Sequence, residues 1–143
     1  MSIDVQKGEE EARALRLAGT SCSETTVLAV SHAAGCVLDD ETLRSLAVGF
    51  RGGIGATFDE GTCGALSGAI MASGLAMGSD RKGATRAAKE MYGRFKDHFG
   101  TVSCGKQNRG RDHCLNCCLV ATRNALEILN AREWARSNSK KTD

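Results

Sequence analysis

The chain contains no proline. Nothing in it removes a backbone donor or wedges a helix from within, so helices can run uninterrupted. Its 17 glycines supply the places where helices end or separate. Apolar residues recur at helical spacing throughout. Glu9 to Ala18 reads as a first helix with Ala12, Leu15 and Ala18 inward. A second, Cys22 to Ala34, carries Val27, Leu28 and Val30 and stops at Gly35. Asp39 caps a third, where Leu43, Leu46, Ala47 and Phe50 follow i, i+3, i+4, i+7 spacing. After a Gly52-Gly53-Ile54-Gly55 loop comes an apolar helix from Cys63 to Met77. A fifth, Lys82 to His98, has Ala84, Ala88, Met91, Tyr92, Phe95 and Phe99 as its buried stripe. The last runs from His113 to Trp134, with Leu119, Ala121, Leu126, Ile128 and Leu129 inward. Val27 to Val30 is the one strand-like run, and its flanks favour helix.

The expected fold is therefore all-α: a single compact bundle of five or six helices. Residues 1–18 form an N-terminal helix, 19–134 a cysteine-rich helical domain, and 135–143 a basic tail expected to be disordered,. The 143 residues suffice for one domain with a real core,. Aromatics are only 4%, so that core is aliphatic. Residues 61–79 carry no charge, which raises the question of a membrane span. The stretch is near the minimum length, and Gly, Ala and Ser dilute it. A central buried helix is expected, with no membrane. Gly64 and Gly68 would let a neighbouring helix or a bound cofactor approach the backbone, within one subunit or across a homodimer,.

Seven cysteines are many for this length. Met1-Ser2-Ile3-Asp4 lacks the basic and apolar regions of a signal peptide, so a cytoplasmic protein is expected,. Structural disulfides are disfavoured there, and an odd count suits a disulfide framework poorly. Metal ligation and thiol redox chemistry remain.

Placement sharpens this. Cys22, Cys63 and Cys114 fall at helix starts, each behind a side-chain oxygen. Ser21 and Glu24 read as a capping box around Cys22; Thr62 precedes Cys63, and Asp112 precedes Cys114,. Unpaired N–H groups and the helix dipole both favour thiolate there. On one helix, Cys114 shares a face with Cys117 and Cys118,. Cys104 precedes them through a glycine-bearing basic loop, Gly105 to Arg111, which can fold back and bring it close. Donors at helix starts would stabilise an anionic cluster and raise its potential. Lone Cys36 reads as a small buried residue, since nothing activates it.

Competing chemistries are weaker. Zinc favours paired C-x-x-C knuckles, and Cys114 to Cys117 is the single one,. His98 and His113 could add ligands, but a lone histidine is more often a surface residue; His32 reads as structural. The same C-x-x-C lacks the βαβ context of a thioredoxin-like site. The glycine loop follows no strand, so it is no dinucleotide fingerprint. No Ser-His-Asp or paired-carboxylate set stands out. Arg81, Lys82, Arg86, Lys89, Arg94 and Lys96 make the middle of the chain basic. Lys106, Arg109 and Arg111 would lower thiol pKa values and attract an acidic redox partner,. A net charge of +2 and the absence of interleaved aromatics argue against nucleic acid,.

Phe50 to Gly55, followed by Gly61-Thr62-Cys63-Gly64-Ala65-Leu66-Ser67-Gly68-Ala69-Ile70-Met71, resembles the core signature of the C_GCAxxG_C_C family. The family's upstream cysteine resembles Cys22; its phenylalanine-glycine-cysteine stretch resembles Phe95 to Cys104, and its final cysteine falls within Cys114 to Cys118. The likeness covers Gly19 to Leu129. This chain has three cysteines where that pattern implies one, and Cys36 lies outside it.

The resemblance implies a helical domain with a cysteine-bound redox centre, an iron–sulfur cluster. A similar domain accompanies haem in split-Soret cytochromes, but no C-x-x-C-H occurs here, so no covalent haem is expected,. The expectation is a small redox protein for electron transfer or redox sensing. Cys22, Cys63, Cys104 and one of Cys114, Cys117 and Cys118 would hold a 2Fe-2S or 4Fe-4S cluster and serve a partner oxidoreductase. A metal-free thiol–disulfide oxidoreductase and a structural zinc module are the alternatives.

Overall fold

The computed structural model describes residues 2–107 and 110–141, without the side chains of 111 and 133–141. Six α-helices occur among them: α1 Val5–Leu17, α2 Cys22–Ala33, α3 Asp40–Ala47, α4 Gly64–Met77, α5 Arg81–Phe99 and α6 Arg111–Lys141. The tail expected over 135–143 lies outside the described side chains. The described residues contain no strand beyond a single antiparallel bridge between Thr62 and Ser103.

How the helices begin divides them into two kinds. Asp4, Asp39 and Asp80 cap α1, α3 and α5, accepting from the N–H of Lys7, Thr42 and Gly83 at 3.0, 2.8 and 2.9 Å. Helices α2 and α4, which begin at or just after Cys22 and Cys63, have no side-chain cap bond. The capping box expected at Ser21 does not form. The Ser21 hydroxyl instead donates to Glu24 Oε1 at 2.6 Å, while Glu24 Oε2 accepts from Arg44 Nε at 2.8 Å. Glu24 is buried, and this ion pair to α3 outcompetes a bond back to the helix start,. The N–H groups of α2 and α4 are left for other acceptors.

Helix α4 sits at the centre, against α2, α5 and α6. At Gly68 a side chain would have no room: its Cβ would stand 2.3 Å from both the Ser23 carbonyl and the Thr26 hydroxyl on α2. The small-residue face thus packs inside the chain. Phe95, Leu43, Leu66, Met91, Leu126 and Ile128 are the largest fully buried side chains. Four expected core positions are exposed, among them Ala18 just past the end of α1. Leu46, still inside α3, lies off the buried Leu43 and Ala47 face, and Phe50 turns outward where the helix tightens into the 3₁₀ turn Val48–Phe50,. Tyr92 lies on the outer face of α5 with the Lys96 ammonium 6.0 Å from its ring centroid,. No described helix is long and apolar enough to cross a membrane.

Candidate functional site: a thiol-lined cavity

The starts of α2, α4 and α6 meet around a cavity of about 370 Å³. Cys22, Cys63, Cys104, Cys114 and Cys117 all line it. Two remaining cysteines do not: Cys36, which is half-buried rather than buried, and Cys118, which is fully buried with its thiol 3.9 Å from the Cys22 carbonyl. No disulfide joins any of the seven.

Each thiol is placed by a different local device. Cys22 is the first residue of α2, and its sulfur accepts from the N–H groups of Gly52 and Ser23. Cys63 stands just before α4, accepting from the N–H groups of Ala65 and Leu66. Gly64 keeps the two close: a Cβ there would lie 2.6 Å from the Cys22 sulfur and 2.8 Å from the Phe50 carbonyl oxygen. Backbone pairing places Cys104, with Cys63 N–H donating to Val102 O (2.7 Å), Cys104 N–H to Gly61 O (2.8 Å) and Gly105 N–H to Asp59 O (2.6 Å). Cys114 sits at the end of the first turn of α6, its N–H bonded to Gly110 O at 2.9 Å. Cys117 follows one turn later.

The glycine loop closes one side. Gly52, Gly53, Gly55, Ala56 and Phe58 all take positive φ, and the bonds Gly55 N–H to Gly49 O (2.8 Å) and Phe58 N–H to Gly52 O (2.9 Å) hold the coil. This conformation seats the Phe58 ring on the cavity wall.

Electrostatics then differentiate the thiols. A hydrogen bond from the Cys117 thiol, helped by two backbone N–H groups, overcomes burial and lowers the Cys63 pKa to about 7. Cys117 keeps the shared proton; that bond to Cys63 and then burial push its own pKa up. Burial also raises Cys22, outweighing its two N–H donors, and raises Cys118 strongly,. A helix start therefore does not by itself make a thiolate. Cys22 departs from that expectation because its sulfur loses more to desolvation than the helix returns.

The cations differ from those the sequence suggested. Lys106 is exposed and off the lining; Arg109 and the Arg111 side chain lie outside the described residues. Arg16 and Arg51 line the cavity instead, with Gln107 and His113. Arg51 was within reach of a sequence reading, being next to the Gly52-Gly53 loop. Arg16, on a different helix, carried no signal. His113 Nε2 is 2.7 Å from Gln107 Oε1, and its ring stands edge-on to Phe99 at 5.3 Å. His98 is exposed against Phe99 and off the cavity; His32 bridges Glu11 and Asp40 on the surface, a structural role. Of the two glycines, Gly64 lines the cavity while Gly68 faces α2. Among the described residues, no three Cys, His, Asp or Glu groups already stand in metal-binding geometry.

No curated protein and no solved structure matches the chain. The sequence model of one family, described as "Putative redox-active protein (C_GCAxxG_C_C)", matches residues 20–131. That span holds all seven cysteines and every segment that builds the cavity except the Arg16–Gly19 corner. The chain therefore belongs to the C_GCAxxG_C_C family of redox-active proteins.

Proposed function

We propose that the chain is a small redox protein whose cavity cysteines hold an iron–sulfur cluster, for electron transfer or redox sensing with a partner oxidoreductase. One observation carries this reading: five of the seven cysteines, from four separate segments, line one cavity. Cys22, Cys63 and Cys104 with either Cys114 or Cys117 make a four-cysteine set, the usual ligation of two-iron and four-iron centres. Cys118, off the cavity, drops out of the candidates.

The surroundings suit such a group. Backbone N–H groups already point at the sulfurs of Cys22 and Cys63. Arg16 lines the cavity, and its Nε is buried with no hydrogen-bond partner among the described residues. The positive charge of that guanidinium would favour an anionic sulfur centre. A bound cluster supplies one-electron chemistry; the protein sets its potential through these donors and charges. The test is iron, acid-labile sulfide and zinc content of protein purified without oxygen. Stoichiometric iron and sulfide support the reading, and zinc alone turns the site into a structural one.

A second reading has its own observation. The hydrogen bond between the Cys63 and Cys117 sulfurs is the arrangement of a nucleophilic and a resolving thiol,. In a metal-free protein Cys63 would attack a disulfide and Cys117 would close the internal one. Metal-free protein that is reversibly oxidised to a Cys63–Cys117 disulfide would favour this reading over the cluster.

A further inference from the structure

We infer that Arg16 and Arg51 make the thiol cavity an anion-attracting site, selecting anionic sulfur species over neutral ones. The inference rests on the reading that the cavity thiols are the redox site. Its ligand class covers two sources: the sulfide of a bound cluster, or a small thiol compound bearing a carboxylate.

The lining is lopsided in charge. It has two guanidiniums and, among the described residues, no Asp or Glu. Glu24 lies behind Ser21, but its two oxygens are engaged by the Ser21 hydroxyl at 2.6 Å and Arg44 Nε at 2.8 Å. It is a poor counter-ion for the cavity. Arg16 is held in place, its Nη1 donating to the Thr20 carbonyl at 3.2 Å, while its Nε is buried without a partner among the described residues. An anion in the cavity would be drawn by the guanidinium charge on its lining. The two arginines are not equivalent. Arg51 is exposed, so salt screens it, and it acts as a steering charge at the opening,. Arg16 is partly buried and keeps its field at higher ionic strength,.

Paired alkylation tests this without needing the natural ligand. Iodoacetate and iodoacetamide react with the same thiolate, forming an S–C bond as iodide leaves. They differ chiefly in the negative charge of the first. Reduced, metal-free protein is treated with each, and modification of Cys63 is followed by mass spectrometry. The iodoacetate-to-iodoacetamide rate ratio is expected to exceed that of a small thiol in solution. It should fall at least threefold in Arg16→Gln and by less in Arg51→Gln, stay near wild type in Arg16→Lys, and be unchanged in Arg86→Gln on the outer face of α5. Added salt should lower the ratio more in Arg16→Gln, where only Arg51 remains, than in Arg51→Gln.

A ratio equal to that of the solution thiol, or unmoved in both Gln variants, overturns the inference. Should Arg16→Gln fail to fold, Arg51→Gln and the salt dependence of the wild type decide; a ratio indifferent to both overturns it. Metal analysis of anaerobically purified protein separates the sources. Iron with sulfide and a falling ratio identify a cluster as the anion. A falling ratio in protein that never carries iron supports a small anionic thiol compound and removes the cluster reading alone. Iron present with an indifferent ratio removes the inference alone.

Discussion

Cys22 and Cys63 stand at corresponding places, each at the start of a helix that lacks a side-chain cap, each accepting from two backbone N–H groups. Their thiols move in opposite directions. Burial wins at Cys22 and raises its pKa; at Cys63 a third donor, the Cys117 thiol, tips the balance down to about 7. Two backbone donors and a helix dipole roughly offset the desolvation of a buried sulfur. One more hydrogen bond decides the protonation state at neutral pH. The two thiols thus differ before any ligand arrives: Cys63 leans toward thiolate near neutral pH and Cys22 toward the neutral thiol.

The closeness of the two sulfurs is the most breakable part of this comparison. Gly64→Ala would put a methyl 2.6 Å from the Cys22 sulfur and 2.8 Å from a backbone oxygen that cannot swing away. The expected cost is about 3 kcal/mol, the upper part of the usual range for overpacking. Thermal or urea unfolding measures it. Gly74→Ala on the same helix meets nothing within 4 Å and should leave stability unchanged or slightly raised,. An unaffected Gly64→Ala protein would show that Cys22 does not need its place beside α4.

Reactivity comes next in size. At pH 7 a thiol with a pKa near 7 is half ionised, against about 1% for one at the ordinary 9.0, a difference of about 50-fold in thiolate,. Cys63→Ser should therefore remove most of the fast iodoacetamide-reactive fraction of reduced protein at pH 7. Cys22→Ser should remove almost none of it. A fast phase that survives Cys63→Ser would assign the reactive sulfur elsewhere in the cavity.

Much of the fold was legible because helix signals are local. Proline absence, glycine breaks and periodicity placed the helices, and Asp39 was correctly read as a cap. Leu46, Phe50 and Tyr92 were misplaced because periodicity assumes that a helix continues and that its apolar stripe faces a neighbour. The first fails at Phe50, where α3 has given way to a 3₁₀ turn, and the second at Leu46 and Tyr92, which lie within helices but on exposed faces. At the site, residue type and helix starts pointed to Cys22, Cys63 and Cys114, and these do meet. What separates Cys117 from Cys118 is one residue of helical rotation, about 100°, and spacing could not tell which of the two faces α4. The pairing that seats Cys104 joins residues some forty positions apart in the sequence, and Arg16 reaches the cavity from α1. Such tertiary contacts leave no local pattern.

The subtlest prediction isolates the third donor. Cys117→Ala removes the thiol that holds Cys63 ionised, while the Ala65 and Leu66 N–H groups remain against an undiminished burial cost. The Cys63 pKa should rise, since its largest downward influence is gone. In the parent protein the rate of Cys63 alkylation climbs with pH through about 7, because thiolate forms as pH exceeds the pKa. In Cys117→Ala the same climb should begin at higher pH, so the rate at pH 7 drops while the plateau at alkaline pH is nearly kept. Cys117→Ser offers an intermediate case, because a hydroxyl can still donate to the Cys63 sulfur from the same turn of α6. Its profile should lie between the other two. A Cys63 profile unchanged by Cys117→Ala would mean that the helix start alone lowers the pKa. Burial could not then explain the contrast with Cys22, because Cys63 is the more buried of the two.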